Sequence, residues 1–367
     1  MTTTSHALMD ALKTSIGRMP DPASRAEAAA LEAELATVHR VRHAIAVSSG
    51  TAALHTALVA CGVGPGDEVL LPAATVIMTV SAVTATGARP VFVDAAEDGR
   101  GMDLADVATK TTERTRAVVP VHLSGRTDGL IDLAAYAQSA GLHVVEDACQ
   151  AQGSTTRGRT AGTVGSIGCF SLKDGKIISC GEGGYLLTDE DDLAARAAAY
   201  RTHWLTPAPG APAASRRGMN YRLAEPLAAL ARHHLKALDQ AVARRREQAR
   251  QLYDLVGDTP GLTVHAPAPD DAPNGYSALW RVDLDRPRDF STRLAEAGVA
   301  NSVGTYGLRA AHQHPACQDL RPADCPRAAR AVDRMLAVTL QQQTTEADLY
   351  RFAETIQREA KSWAEGR

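Results

Sequence analysis

Aromatic residues are scarce in this chain. Phe, Trp and Tyr make up 4% of its 367 residues, whereas 45% of them are apolar. Its cores must therefore be built from Ala, Val, Leu and Ile, the make-up of parallel sheets covered by helices, which points to the α/β class. Charge of one sign is lacking too. A formal charge of -3 makes too weak a field to attract nucleic acid or an anionic membrane. The one basic run, Arg244-Arg245-Arg246, falls inside a helical pattern and reads as a solvated face. The six cysteines, Cys61, Cys149, Cys169, Cys180, Cys317 and Cys325, are scattered without a Cys-x-x-Cys pair, which argues for reduced thiols and against a disulfide framework. No apolar run is long enough to span a bilayer. Met1-Thr2-Thr3-Thr4-Ser5-His6 has neither the basic nor the apolar region of a leader. The expectation is a cytoplasmic protein with no membrane or nucleic-acid partner.

What is present is an alternation of short apolar runs with helix-like segments. The length exceeds one ordinary core and predicts a large domain over 1–254 and a smaller one over 255–367. Helical spacing begins at about residues 22–40. Runs at 44–47, 68–71, 90–93, 117–121, 142–145, 167–171 and 184–187 then predict a mostly parallel sheet of seven strands covered by helices. The last two runs have no helix-length segment between them, so at least one of them pairs antiparallel. One long helix is expected after Asn220-Tyr221-Arg222, on the recurrence of Leu223, Leu227, Leu230, Leu235, Leu238 and Val242, with Pro226 in its first turn. The Pro- and Ala-rich stretch 206–215 before it reads as a mobile loop. Beyond 255, a strand at 278–282 and helices at 291–297 and 346–359 describe a smaller α+β unit.

The chemistry gathers around Lys176. It lies between Cys169-Phe170-Ser171 and Gly181-Glu182-Gly183-Gly184, downstream of the strand-end acid in Val144-Val145-Glu146-Asp147. A lysine amine can condense with an aldehyde, and an aspartate can keep a pyridinium nitrogen charged so that the ring accepts electrons. Pyridoxal 5'-phosphate (PLP) asks for that pair. Ser49-Gly50-Thr51-Ala52-Ala53-Leu54 follows the first strand and opens a helix, where glycine permits close approach and free amides face an anion. Taken alone, such a turn is more often just tight packing, and Asp147 alone reads as a helix N-cap. Neither the turn nor Gly175-Lys176 is a Walker sequence. Asp147 also ends a strand at the carboxyl edge of the sheet, where open α/β sheets place ligands. The combination of turn, acid and lysine is what carries specificity.

With these pieces in order, the chain resembles the DegT/StrS sugar aminotransferase family of fold-type I PLP enzymes over about residues 25–355. The resemblance rests on Ser49-Gly50-Thr51-Ala52-Ala53-Leu54, Pro90-Val91-Phe92-Val93-Asp94, Pro120-Val121-His122-Leu123, Glu146-Asp147-Ala148-Cys149-Gln150, Phe170-Ser171, Lys176, Gly181-Glu182-Gly183-Gly184 and Asn220-Tyr221-Arg222. It implies Lys176 as the lysine that carries the cofactor, Asp147 at its ring nitrogen and Gln150 near its phenolic oxygen. It implies Gly50, Thr51 and Ser171 at the phosphate, with Asn220 reaching the phosphate of a neighbouring subunit in a homodimer with shared active sites. Where the family carries an aromatic residue after Pro-x-x-Thr, this chain has Val76 following Pro72-Ala73-Ala74-Thr75. An aliphatic cover of the ring gives up stacking worth about 0.5–1.5 kcal/mol.

The implied reaction is transfer of an amino group from glutamate or glutamine to a keto-sugar or keto-cyclitol, in amino-sugar or antibiotic biosynthesis. The residues around Lys176 look more like the branch acting on keto-cyclitols. A PLP-dependent sugar dehydratase or an aminohydroxybenzoate-type synthase is an alternative on the same scaffold, and a non-catalytic PLP-binding protein is a third. Retention of Lys176 argues against the dehydratases in which that lysine is a histidine. Tyr306, His312 and His314 match a family loop near the substrate, and His203 a position on its rim, though a lone histidine is more often structural. No Cys or acid completes a metal set around His312 and His314. Lys173, by strand alternation, is expected on the opposite face from Leu172 and outside the chemistry.

Overall fold

The computed structural model describes residues 25–320 and 322–366, with a few positions between 9 and 17. Met1 to His6, and residues 22–24 of the expected first helix, lie outside the described residues. That helix runs over Ala26–His39.

The strands of the large unit are β1 (His43–Val47), β2 (Glu68–Pro72), β3 (Arg89–Val93), β4 (Thr115–Val118), β5 (His143–Asp147), the short pair β6 (Thr155–Thr156) and β7 (Arg159–Thr160), β8 (Ile167–Ser171) and β9 (Gly184–Thr188). All but β6 and β7 form one seven-stranded sheet in the order β1-β9-β8-β5-β4-β2-β3, on the seven expected runs. Only β9 runs against its neighbours, antiparallel to both β8 and β1. The reason is the connection 172–183, which holds no helix. A parallel return needs a crossover, and without one the chain turns back as a hairpin. Lys176 sits in that hairpin's loop.

The sheet is buried on both faces. Helices Gly50–Ala60, Ile77–Ala85 and Asp191–Tyr200 cover one face, packing on Val47, Val69, Val145 and Leu186. Ala26–His39 and Glu225–Leu235 cover half of the other face, against Ala46, Phe170 and Tyr185. Leu104–Lys110 and Leu130–Ser139 cover its remaining half, against Leu70, Val118 and Val144. Phe170 and Tyr185 stack with ring centroids 4.5 Å apart, so two of the few aromatic residues are spent on one layer of this core.

The smaller unit is an antiparallel sheet of β10 (Leu262–Val264), β12 (Ser277–Val282) and β13 (Met335–Thr339), with β12 in the middle. Between them, β11 (Asp271–Ala272) pairs with β6 and ties the unit to the main body. Its core unites Trp280 with Phe290 and Leu294 of helix Pro287–Glu296, Leu349 and Ile356 of helix Glu346–Ala364, and Leu252 and Val256.

Two expectations need correction. The long helix is two helices, Glu225–Leu235 and Leu238–Val256, broken at Lys236-Ala237. The break lets the second helix start against the large core through Leu238 and Val242 and finish in the small one through Leu252 and Val256. Pro226 does sit in the first turn. The basic run is not a solvated face throughout: Arg244 and Arg246 are exposed, but Arg245 is 1% exposed. Its guanidinium donates to the Leu340 carbonyl and, at 3.3 Å, to the Gly175 carbonyl. Burial drives its pKa down to about 10. The stretch 206–215 holds no helix or strand beyond a narrow turn closed by Ala208 and Ala211. All six thiols are free. No helix among the described residues is long and apolar enough to cross a membrane.

Candidate active site

Asp147 is the last residue of β5, and the backbone of the parallel neighbours holds it there: its amide donates to Pro120 and its carbonyl accepts from His122, each at 2.9 Å. The preceding Glu146 faces the other way and is fully buried. It accepts from His122 Nε2 at 2.8 Å and from the amides of Gly162, Val164 and Gly165 at 2.6–2.7 Å. Burial alone would raise its pKa, but His122 and these amides more than reverse that, and the acid stays charged. Glu146 thereby pins the turn that leads into β8.

Asp147 is 4% exposed. Thr79 Oγ1 donates to its Oδ2 at 2.7 Å and the Cys149 amide to its Oδ1 at 3.2 Å. No helix follows Asp147, so it is not a helix cap. The Cys149 thiol beside it has its pKa raised well above the usual value by burial and by the Asp147 charge, with Lys176 pulling the other way. Acid, thiol and lysine therefore share one neighbourhood.

Gly50 completes it. A Cβ at this position would come within 2.8 Å of Cys149 Sγ and 2.9 Å of Ser171 Cβ. Only glycine allows the helix Gly50–Ala60 to start this close to the end of β8. Ser49 caps that helix by accepting from the Ala52 amide at 3.0 Å, which leaves the Gly50 and Thr51 amides without a partner in the helix. Such an end is an anion site. The Asn220-Tyr221 strap lies near, since the Ser48 amide donates to the Tyr221 carbonyl at 2.8 Å.

A cavity of about 720 Å³ opens at this edge of the sheet. Lys176, Gln150 and Val76 line it, as do Thr75, Met78, Ser124, Tyr276, Tyr306, Arg309 and His314. Lys176 Nζ stands 3.5 Å from the Tyr276 hydroxyl and 5.1 Å from its ring centroid. Gln150 Oε1 accepts from the Ser124 amide at 2.7 Å. Lys173 lines the cavity too, contrary to the expectation from strand alternation, because the strand ends at Ser171 and the chain turns there. Gly50, Thr51, Asp147 and Ser171 are not part of the lining; Thr75, which is, reaches Asp147 through Thr79. Asn220 is exposed and does not line the cavity of its own chain. His203 is also exposed and outside it, while His312 is buried against Asp324 at 3.3 Å.

Residues 23–357 match the model of the DegT/DnrJ/EryC1/StrS aminotransferase family. The chain belongs to that family. Its similarity to individual members of the DegT/DnrJ/EryC1/StrS family is spread over the whole length. It is 34% identical to a UDP-N-acetyl-3-dehydro-alpha-D-glucosamine 3-aminotransferase of Acidithiobacillus ferrooxidans, over 96% of this chain and 94% of that protein. It is 37% identical to a dTDP-3-amino-3,4,6-trideoxy-alpha-D-glucose transaminase of Streptomyces venezuelae, over 73% of this chain and 70% of that one. Among solved structures, DesV of S. venezuelae superposes with a TM-score of 0.85 at 32% identity, covering 97% of this chain and 96% of that one.

The protein is thus an aminotransferase of the DegT/DnrJ/EryC1/StrS family, whose cofactor is PLP. The residues present fit that group: a helix start with two free amides, a cradle beside Gly50 that a Cβ would fill, a buried acid and a lysine in an adjoining cavity.

Several residues around the site escaped the sequence. Thr79 had a faint signal, since it lies only four positions after Thr75, which precedes the helix Ile77–Ala85. Tyr276 had none, arriving from the smaller unit a hundred residues after Lys176. Gln152 and Asn274 frame the lysine loop from below. Asn274, fully buried, donates to the carbonyls of Gln150 and Gln152 at 2.9 Å and accepts from the Tyr276 amide at 2.9 Å.

Proposed function

We propose that this protein transfers an amino group from glutamate or glutamine to a keto-sugar or keto-cyclitol, working as a cytoplasmic homodimer. In this reading residues 1–254 form the cofactor-binding unit and 255–367 a smaller unit that walls the site. Lys176 holds the cofactor, Asp147 meets the ring nitrogen, and Gln150 lies by the phenolic oxygen. Gly50, Thr51 and Ser171 hold the phosphate. The observation that carries the reading is the adjacency of a cavity lined by Lys176 to the buried Asp147 carboxylate, joined to it through Thr75 and Thr79 and flanked by a helix start with unused amides.

When bound, PLP supplies an electron sink for the carbanion formed at the substrate carbon. The rest of the work falls to side chains. Lys176 Nζ takes the proton from the donor's α-carbon and in the second half-reaction returns one to the former ketone carbon. The wall of the smaller unit, through Tyr276, keeps that amine within the cavity. Lys173, Lys176 and Arg309 against Asp174 give the lining a positive excess, which suits the carboxylates of the donor and any phosphate on the acceptor. The exposed Asn220, away from its own cavity, is free to reach a partner's phosphate.

The test is spectroscopic. Protein reconstituted with PLP is expected to show a visible band that borohydride abolishes and that Lys176→Ala lacks. Glutamate or glutamine should bleach the band, and keto-cyclitols and nucleotide-linked keto-sugars, offered in turn, should restore it with formation of an amine. A band that persists in Lys176→Ala refutes the assignment of the lysine. Loss of water from the sugar without amine formation refutes the transfer.

A further inference from the structure

Thr79 is 1% exposed and stands in the first turn of helix Ile77–Ala85, the helix that begins immediately after the cavity-lining Val76. Its hydroxyl takes part in two buried contacts: Thr75 Oγ1 donates to it at 3.2 Å and it donates to Asp147 Oδ2 at 2.7 Å. A hydroxyl has one proton, and a carboxylate can only accept. The chain therefore has one direction, from Thr75 through Thr79 to Asp147. With the Cys149 amide on Oδ1, each carboxylate oxygen has a donor from a different segment, so the plane of the carboxylate is set from both sides. No lysine, arginine or histidine forms an ion pair with Asp147 among the described residues, so these two neutral donors are what orient it.

We infer that Thr79 is a positioning residue of the transamination, fixing the Asp147 carboxylate in the orientation that meets the cofactor's ring nitrogen. The inference rests on the placement of Asp147 proposed above. It gives the segment that opens helix Ile77–Ala85 two duties, since Val76 at its N-cap lines the cavity and Thr79 in its first turn aims the acid. Because Val76 offers no ring to stack on, alignment of the cofactor depends more heavily on the acid at its nitrogen, and Thr79 gains weight accordingly.

Thr79→Val removes the hydroxyl at nearly constant volume, and Thr79→Ser keeps it. In Thr79→Val, kcat should fall about ten- to hundredfold, the range for a lost hydrogen bond to a charged group, with KM for the amino donor within about twofold of the parent. Apart from turnover, the pH at which the visible band of the bound cofactor changes should move, and equilibrium dialysis should show weaker PLP retention. Thr79→Ser should restore all three. Thr75→Val, which removes only the outer link, should cost less than about threefold. A Thr79→Val protein with the parent's band, retention and kcat overturns the inference. So does a Thr79→Ser protein as impaired as Thr79→Val, which would mean that the methyl packs and the hydroxyl is idle. If Thr79→Val does not fold, Thr79→Ser and Thr75→Val still decide: parental retention and pH profile in the first, with a small loss in the second, support the hydroxyl chain, and the reverse order refutes it. A parent protein with no borohydride-sensitive band would instead remove the cofactor reading beneath the inference, and the inference with it.

Discussion

Gln152 grips Ile178 by both backbone groups: its Oε1 accepts from the Ile178 amide at 2.9 Å and its Nε2 donates to the Ile178 carbonyl at 3.4 Å. The same Nε2 also donates to the Ser171 carbonyl at 3.2 Å. One buried side chain thus staples both sides of the loop that presents Lys176, and Arg245 holds the Gly175 carbonyl from beneath.

Gln152→Leu should loosen that loop. It removes the side-chain partner of the Ile178 amide and of two carbonyls, at a cost of about 1–3 kcal/mol for each group left buried and unpaired. The urea midpoint should drop, and PLP binding should weaken in the same variant. An unchanged midpoint would show that the loop finds other partners.

Gly50→Ala should strike the phosphate end specifically. The added methyl meets Cys149 Sγ and Ser171 Cβ at under 3 Å, and overpacking of about 1–3 kcal/mol should appear as roughly tenfold weaker cofactor binding. Titration of apoprotein with PLP reads this directly.

Val76→Phe should work the other way. A ring at this position in the cavity lining should regain stacking of about 0.5–1.5 kcal/mol and tighten PLP about two- to tenfold. The same titration checks it. Weaker binding would mean that the space beside Val76 belongs to the substrate.

The pH dependence of stability should carry the mark of His39, packed against Phe170 and Tyr185 at centroid distances of 5.5 and 5.9 Å. Burial brings its pKa down from 6.5 to about 4. Between these values the unfolded chain binds a proton that the folded one refuses, so stability is full above about pH 6.5 and falls as pH drops towards 4. The loss from this group reaches about 3 kcal/mol. Denaturation at a series of pH values should show that slope in the parent and a shallower one in His39→Gln.

Much of the fold could be read in advance, and particular elements show why. The seven strands are apolar runs buried on both faces, so their hydrophobicity is continuous and marks them wherever they lie in space. That one of the last two runs pairs antiparallel followed from the shortness of the 172–183 connection, while its being β9, set between β8 and β1, did not. The helix break at Lys236-Ala237 did not, because Leu235 and Leu238 keep a helical spacing across it and only the existence of a second core makes the chain bend. Arg245 misled for a related reason: a charged run looks solvated until two carbonyls from distant segments, Gly175 and Leu340, come to meet it.

Of the proposed site, Lys176, Asp147 and Gly50 could be put forward because each belongs to a short segment whose local chemistry is distinctive, a hairpin loop, a strand end and a helix start, whereas Gln150 came from the family resemblance. Local order along the chain was enough for the class of fold and the family. Thr79 against Asp147, Tyr276 over Lys176 and Asn274 beneath Gln150 came only from packing, since each joins segments far apart in the chain. Contacts of 2.7, 3.5 and 2.9 Å between them depend on how distant segments settle against each other, and no spacing within one segment records that.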